Sequence, residues 1–158
     1  MPIPAPVDDQ RRIAALEAQG VLDPPPEPQF AQNHPARILV AEDNPVNLKV
    51  IMRLLQKLGY APQAVSNGVE AVRAIHASPY DIVLMDVEMP EMDGPTAAAA
   101  MRRELPPDRQ PAIVALTAHS LDGRSQQFKA AGMDSYLAKP IRTAELTRLL
   151  AQRGRLAT

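Results

Sequence analysis

The side chains in this chain best suited to chemistry each follow a short apolar run. Glu42 and Asp43 come directly after Ile38-Leu39-Val40-Ala41, and Asp86 closes Ile82-Val83-Leu84-Met85. Thr117 follows Ile113-Val114-Ala115-Leu116, and Lys139 follows Tyr136-Leu137-Ala138. Doubly wound α/β proteins place their chemistry in the crevice outside the carboxyl ends of parallel strands. Three acids, a hydroxyl and an ammonium are therefore expected on one edge of one sheet. Two adjacent carboxylates repel each other unless a cation sits among them, and magnesium takes one or two carboxylates with several waters. Asp43 and Asp86 are the candidate ligands, with Glu42 holding water in the outer shell and the Glu88 backbone carbonyl as a further ligand. Taken alone, Glu42-Asp43 also reads as an acidic pair favouring the dipole of the following helix. Asp86 has a second role open to it, because a carboxylate can take a phosphoryl group in line to give an acyl phosphate. Thr117 would then donate to one phosphoryl oxygen, and Lys139 would neutralise another as a point charge.

The elements that position these groups follow from hydrophobic patterning. Strands are expected over Ile38–Ala41, Ala61–Val65, Ile82–Met85, Ala112–Leu116 and Ser135–Ala138. Helices are expected near Pro45–Leu58, Val69–Ala77, Thr96–Leu105, Arg124–Ala131 and Thr143–Gln152. Asn44-Pro45 gives an N-cap followed by a first-turn proline, and Gly59 sits where a helix stop belongs. Continuous apolar strands imply burial on both faces, hence a parallel sheet covered by helices on each side. The result is a compact doubly wound α/β domain over residues 37–152. Lys139-Pro140 is a candidate cis bond that would turn the lysine into the crevice.

Composition narrows the alternatives. The formal net charge of -1 gives no global field toward nucleic acid or an anionic membrane. With no cysteine, disulfides, thiolate metal sites and thiol catalysis drop out. The seven glycines approach one another no closer than nine residues (68 − 59 and 132 − 123), so no glycine-rich nucleotide cradle can be written. The three histidines are too scattered to form a ligand pair on one helix. No apolar run reaches membrane-spanning length, and the opening Met1-Pro2-Ile3-Pro4 lacks a signal-peptide core, so a cytoplasmic location is expected. Eight of the 17 prolines fall in residues 1–35, which separates a proline-rich extension, 1–36, from the folded part. Within it Asp9–Gln19 is expected as a short helix and residues 22–28 as extended polyproline-like chain. A short tail, 153–158, closes the sequence.

These residues carry a resemblance. Residues 37–152 resemble the receiver domain of response regulators in two-component signalling. The likeness rests on Ile38-Leu39-Val40-Ala41-Glu42-Asp43-Asn44, Met85-Asp86-Val87-Glu88-Met89-Pro90-Glu91-Met92-Asp93-Gly94, Ala115-Leu116-Thr117-Ala118 and Lys139-Pro140. It implies a flavodoxin-like (βα)5 sheet in the order 2-1-3-4-5. It further implies that Asp86 accepts phosphate from a phosphohistidine, that Glu42 and Asp43 organise magnesium, and that Thr117 and Lys139 bind the phosphoryl group. Asn44-Pro45-Val46-Asn47, Ala118-His119 and Gly132-Met133-Asp134-Ser135-Tyr136-Leu137 look like receivers attached to hybrid histidine kinases. Tyr136 falls at the family's switch aromatic, where phosphorylation draws the threonine inward and the ring follows, remodelling the face of the fourth helix, fifth strand and fifth helix. Glu88 and His119 fall at positions that tune phosphoryl lifetime, and both are expected at the mouth of the pocket.

The segment from Arg12 to Phe30 resembles the lead-in that precedes many GAF sensor domains, although a flexible proline-rich tail reads equally well. The expected partner is a histidine kinase or a histidine phosphotransfer protein, with the switch face as the place for a homodimer. The chain ends at Thr158 and base-stacking aromatics are absent, so a single-domain regulator without DNA-binding output is expected. Arg102-Arg103 is read as a solvated helix face. Two other readings stand beside this one. A non-phosphorylated protein-binding module would keep the fold. A magnesium phosphohydrolase would want an Asp-x-Asp pair, and Asp86-Val87-Glu88 does not supply it.

Overall fold

The structure is a computed structural model describing residues 30–118 and 125–156. The helix expected over Asp9–Gln19, the polyproline-like stretch, most of the GAF-like lead-in, and His119 lie outside the described residues. Five parallel strands form one sheet: β1 (Ile38–Ala41), β2 (Gln63–Val65), β3 (Ile82–Asp86), β4 (Ala112–Thr117) and β5 (Ser135–Ala138). Their spatial order is β2-β1-β3-β4-β5, as the resemblance implies. Five helices alternate with them: α1 (Pro45–Lys57), α2 (Gly68–Ala77), α3 (Gly94–Glu104), α4 (Ser125–Ala130) and α5 (Thr143–Leu156).

Strand residues alternate between two apolar layers. Ile38, Val40, Ile82, Leu84, Val114 and Leu116 face Ile51, Leu54 and Leu55 of α1 and Leu146 and Leu150 of α5. Leu39, Ala41, Val83, Met85, Ile113 and Ala115 face Ala71 and Ile75 of α2, Ala97, Ala98 and Met101 of α3, and Phe128 of α4. The three inner strands are buried on both sides because helices cover both faces. The outer strand β2 is largely exposed and begins at Gln63 rather than Ala61. Pro62 has no N–H to offer the ladder, so pairing starts after it.

Capping fixes the helix starts. Asn44 Oδ1 accepts from the backbone N–H of Val46 (2.9 Å) and Asn47 (3.2 Å). Asn67 and Asp93 cap α2 and α3 by accepting from Glu70 and Thr96. These caps move the starts of α2 and α3 to Gly68 and Gly94, ahead of the apolar periodicity that suggested Val69 and Thr96. At the far end of α1, Gly59 takes φ +98°, a left-handed conformation that suits glycine. Helix α5 runs on to Leu156, past the expected end at Gln152.

Two packed features lie where solvated chain was expected. A single helical turn, Phe30–Asn33, sits against the C-terminal end of α1. Its Ala31 N–H donates to Leu58 O at 2.9 Å, Phe30 meets the Tyr60 ring edge-on at 6.4 Å, and the Tyr60 hydroxyl donates to His34 O. Packing thus reaches back to Phe30, within the segment assigned to the extension. Arg102 is the second. Its Nε donates to Gly132 O (2.9 Å) and its terminal nitrogens donate to Gln110 Oε1 (2.8 Å), Pro111 O (2.7 Å) and Asp134 Oδ2 (2.6 Å). Arg102 therefore ties α3 to the approaches of β4 and β5, while Arg103 is the solvated residue of the pair.

Candidate functional site

The carboxyl ends of β1, β3, β4 and β5 enclose a cavity of about 250 Å³ lined by Glu42, Asp43, Asp86, Glu88, Thr117 and Lys139, among others. Register explains the convergence. Asp86 pairs with Leu116, and Thr117 pairs with Ala138, so Asp86, Thr117 and Lys139 step across three neighbouring strands. The Lys139 N–H donates to Thr117 O at 2.7 Å and the Val87 N–H to Leu116 O at 3.1 Å, carrying the pairing past the strand ends. The Lys139-Pro140 bond is cis.

The loop after Asp86 is held closely. Gly94 N donates to Val87 O at 2.9 Å, and a Cβ on Gly94 would lie 2.4 Å from Asp86 O. Gly68 N likewise donates to Met92 O at 3.2 Å. The Glu88 N–H reaches Asp86 Oδ1 at 3.3 Å.

Electrostatics define what the cavity can hold. Carboxylate oxygens of Glu42, Asp43 and Asp86 all lie within 4.8 Å of one another. The Lys139 ammonium stands 2.8 Å from Glu42 Oε2 and 3.2 Å from Asp86 Oδ2. Glu42 is fully buried, and its Oε2 receives no hydrogen bond of good direction, so the lysine contact is an ion pair. Burial raises the Glu42 pKa, Asp86 pushes the same way, and Lys139 and the Asn44 N–H pull against them. For Lys139, burial favours the neutral form, but Glu42 and Asp86 overcome it and hold the pKa above its ordinary value. Three clustered acids against one ammonium leave excess negative charge, and Glu42 Oε2 has unused acceptor capacity. A hard divalent cation with oxygen ligands fits this donor set.

Every expected site residue inside the described chain except Tyr136 lines this cavity. Asp86 and Thr117 are buried, Lys139 is partly buried, and Asp43 and Glu88 face solvent at the mouth. Tyr136 lies elsewhere, 44% exposed on β5, above a groove that it shares with Glu145, Arg148 and Leu149 of α5. Sequence reasoning missed Asn47 as a pocket residue. It lines the cavity from the first turn of α1, and its signals were a polar residue three positions after an N-cap and its place in the Asn44-Pro45-Val46-Asn47 stretch.

Five parallel strands with acids, a hydroxyl and a lysine on their carboxyl edge define a signalling receiver rather than a nucleotide-binding domain. The chain belongs to the response regulator receiver domain family, which it matches over residues 38–151. It is 41% identical over 127 residues to sensor histidine kinase GacS of Pseudomonas protegens, covering 79% of this chain and 14% of that kinase. It spans 12% and 7% of two further curated relatives, so the likeness is to one domain of longer proteins. Among solved structures it is similar to the receiver domain of sensor histidine kinase PA1611 from Pseudomonas aeruginosa, crystallised with magnesium coordinated in the active-site cleft. Identity there is 42% and the TM-score 0.69, over 76% of this chain and 98% of that one. It is also similar, at 25% identity and TM-score 0.69, to a chain in the co-crystal of the Saccharomyces cerevisiae phosphotransfer protein Ypd1 with the receiver domain of Ssk1. That match covers 76% of this chain and 89% of that one. Among the described residues no helix is long and apolar enough to cross a membrane.

Proposed function

We propose that this chain is a phosphoacceptor: Asp86 takes a phosphoryl group from a phosphohistidine of a histidine kinase or histidine phosphotransfer protein. The observation that carries the reading is the setting of the Asp86 carboxylate. It lies beside two further carboxylates, with the Lys139 ammonium 3.2 Å away, in a cavity open to solvent. Asp43 and Asp86 would hold magnesium, with Glu42 on its water shell and the Glu88 carbonyl as a further ligand. The cation would supply charge neutralisation for the incoming phosphoryl oxygens. Thr117 donates to one of those oxygens and Lys139 neutralises another, which offsets the charge that makes a carboxylate a poor acceptor for phosphate.

Signalling leaves through Thr117 and Tyr136. The ring, half-exposed in this state, has room to move toward the small Ala118 once Thr117 engages a phosphoryl oxygen. The face it remodels, α4-β5-α5, is where a target or a second copy of the chain docks. The chain acts in the cytoplasm as a relay element rather than a turnover enzyme, and without contacting nucleic acid.

The test is intact mass after incubation with magnesium and a small-molecule phosphodonor, beside Asp86→Ala. One added phosphoryl group that is absent from the variant and from the magnesium-free sample supports the reading. An unlabelled wild-type protein overturns it in favour of a constitutive protein-binding module.

A further inference from the structure

Among the side chains that line the cavity over Asp86 without binding cation or phosphoryl group, Asn47 is the one with an uncommitted polar acceptor. It stands on the first turn of α1, which faces the cavity across the carboxyl edge of the sheet. Its backbone N–H is occupied by the Asn44 cap at 3.2 Å. Its carboxamide hydrogen-bonds to no group among the described residues, and the side chain is only partly exposed. Asn44, also at the mouth, has its carboxamide oxygen committed to two backbone donors. Val87 and Ala118 offer no polar side-chain atom. Glu88 is an anion and would repel a phosphoryl group.

Resting on the phosphoacceptor reading, we propose that Asn47 orients the water that hydrolyses phospho-Asp86, and so sets the lifetime of the signal. Displacement at phosphorus is in line. Strand β3 lies behind Asp86, so the attacking water enters from the cavity mouth. There the carboxamide oxygen of Asn47 accepts a hydrogen bond from the water and turns a lone pair toward phosphorus. The new bond forms between water oxygen and phosphorus as the bond from phosphorus to the Asp86 carboxyl oxygen breaks. Asp86 leaves as a carboxylate, and both water protons depart on dihydrogen phosphate. A neutral amide suits the task because it accepts without adding charge beside an anionic phosphoryl group.

The experiment follows the decay of phosphorylated full-length chain by intact mass after removal of a small-molecule phosphodonor, in excess magnesium. Asn47→Ala should take up one phosphoryl group and lose it about fivefold more slowly, the effect of one ordinary hydrogen bond. Asn47→Gln keeps a neutral carboxamide acceptor on a stem one methylene longer and should decay within about twofold of wild type, a rescue that a purely structural role would not produce. Asn47→Ala decaying at the wild-type rate or faster overturns the proposal, as does Asn47→Gln decaying as slowly as Asn47→Ala. Failure of the wild type to label removes the phosphoacceptor reading, and this proposal falls with it. A labelled wild type with unchanged variant decay removes this proposal alone.

Discussion

Replacing Lys139 with methionine keeps the length of the side chain and deletes its charge. Three carboxylates within 4.8 Å of one another then have no ammonium among them. Two like charges at that distance repel by about 3.5 kcal/mol at an effective dielectric of 20. Breaking a buried ion pair by removing one partner costs roughly 3–5 kcal/mol. Lys139 is 17% exposed and the cavity admits water, so about 2–3 kcal/mol is the reasoned loss. For a domain of this size, ~4 °C per kcal/mol puts the melting temperature about 10 °C lower in EDTA. Magnesium should reverse much of this, because the cation replaces the missing positive charge at the same oxygens. Ligand at a hundred times its dissociation constant stabilises by about 2.7 kcal/mol. The gain should be larger in Lys139→Met, where no ammonium competes for Glu42 and Asp86. Thermal melts of both proteins in EDTA and in magnesium provide the assay. A variant melting within about 2 °C of wild type in EDTA would refute the reasoning, as would equal magnesium shifts in the two proteins.

Other perturbations test the scaffold. Burial pushes the Tyr60 pKa up to about 12 from 10.0, so the folded state keeps a proton that the unfolded chain releases. Stability should fall as pH rises from 10 toward 12, by about 2.7 kcal/mol for two units. Tyr60→Phe should lose about 1 kcal/mol at neutral pH but show a flatter profile above pH 10, in urea midpoints taken across that range. Parallel profiles would remove Tyr60 as the cause. Gly94→Ala drives a methyl to 2.4 Å from Asp86 O. It should cost about 2–4 kcal/mol by denaturant unfolding and cut phosphoryl uptake, since the loop beyond Asp86 must move. Arg102→Ala should cost about 3 kcal/mol, with Arg103→Ala within about 0.5 kcal/mol of wild type. Equal effects would return both arginines to the solvated face.

The inner strands were legible because continuous apolar runs permit little else once helices alternate with them. Asn44-Pro45 and Gly59 marked the ends of α1 because capping chemistry is local. The strand-end residues were legible for the same reason: each is a polar group immediately after an apolar run. What escaped depends on contacts distant in sequence. Phe30–Asn33 is four residues between Pro28 and Pro35, with no periodicity to show that Phe30 packs on Tyr60. Arg102 and Arg103 are alike to any local reading. Contacts with Gln110, Pro111, Gly132 and Asp134, all beyond the helix, give one of them a structural task. Asn47 reads as an ordinary solvated helix residue until the cavity exists. Lys139 was expected at a phosphoryl oxygen, and its ion pair with Glu42 could not be seen before the strand order was known.

That strand order also sets a distance. Lys139 follows β5, Asp86 ends β3 and Glu42 follows β1, so the ammonium contacts groups two and three strands away. Neighbouring strands lie about 4.8 Å apart, so the sheet is a ruler with a fixed pitch. Only a side chain with a long flexible stem can be rooted on the outer strand and still place its charge over the middle one. Sign and reach are thus separate demands on position 139, and a shorter amine would satisfy the first while failing the second. Because the ruler is backbone, helix faces and outer loops are free to diverge with their partners while the spacing of the charges stays constant.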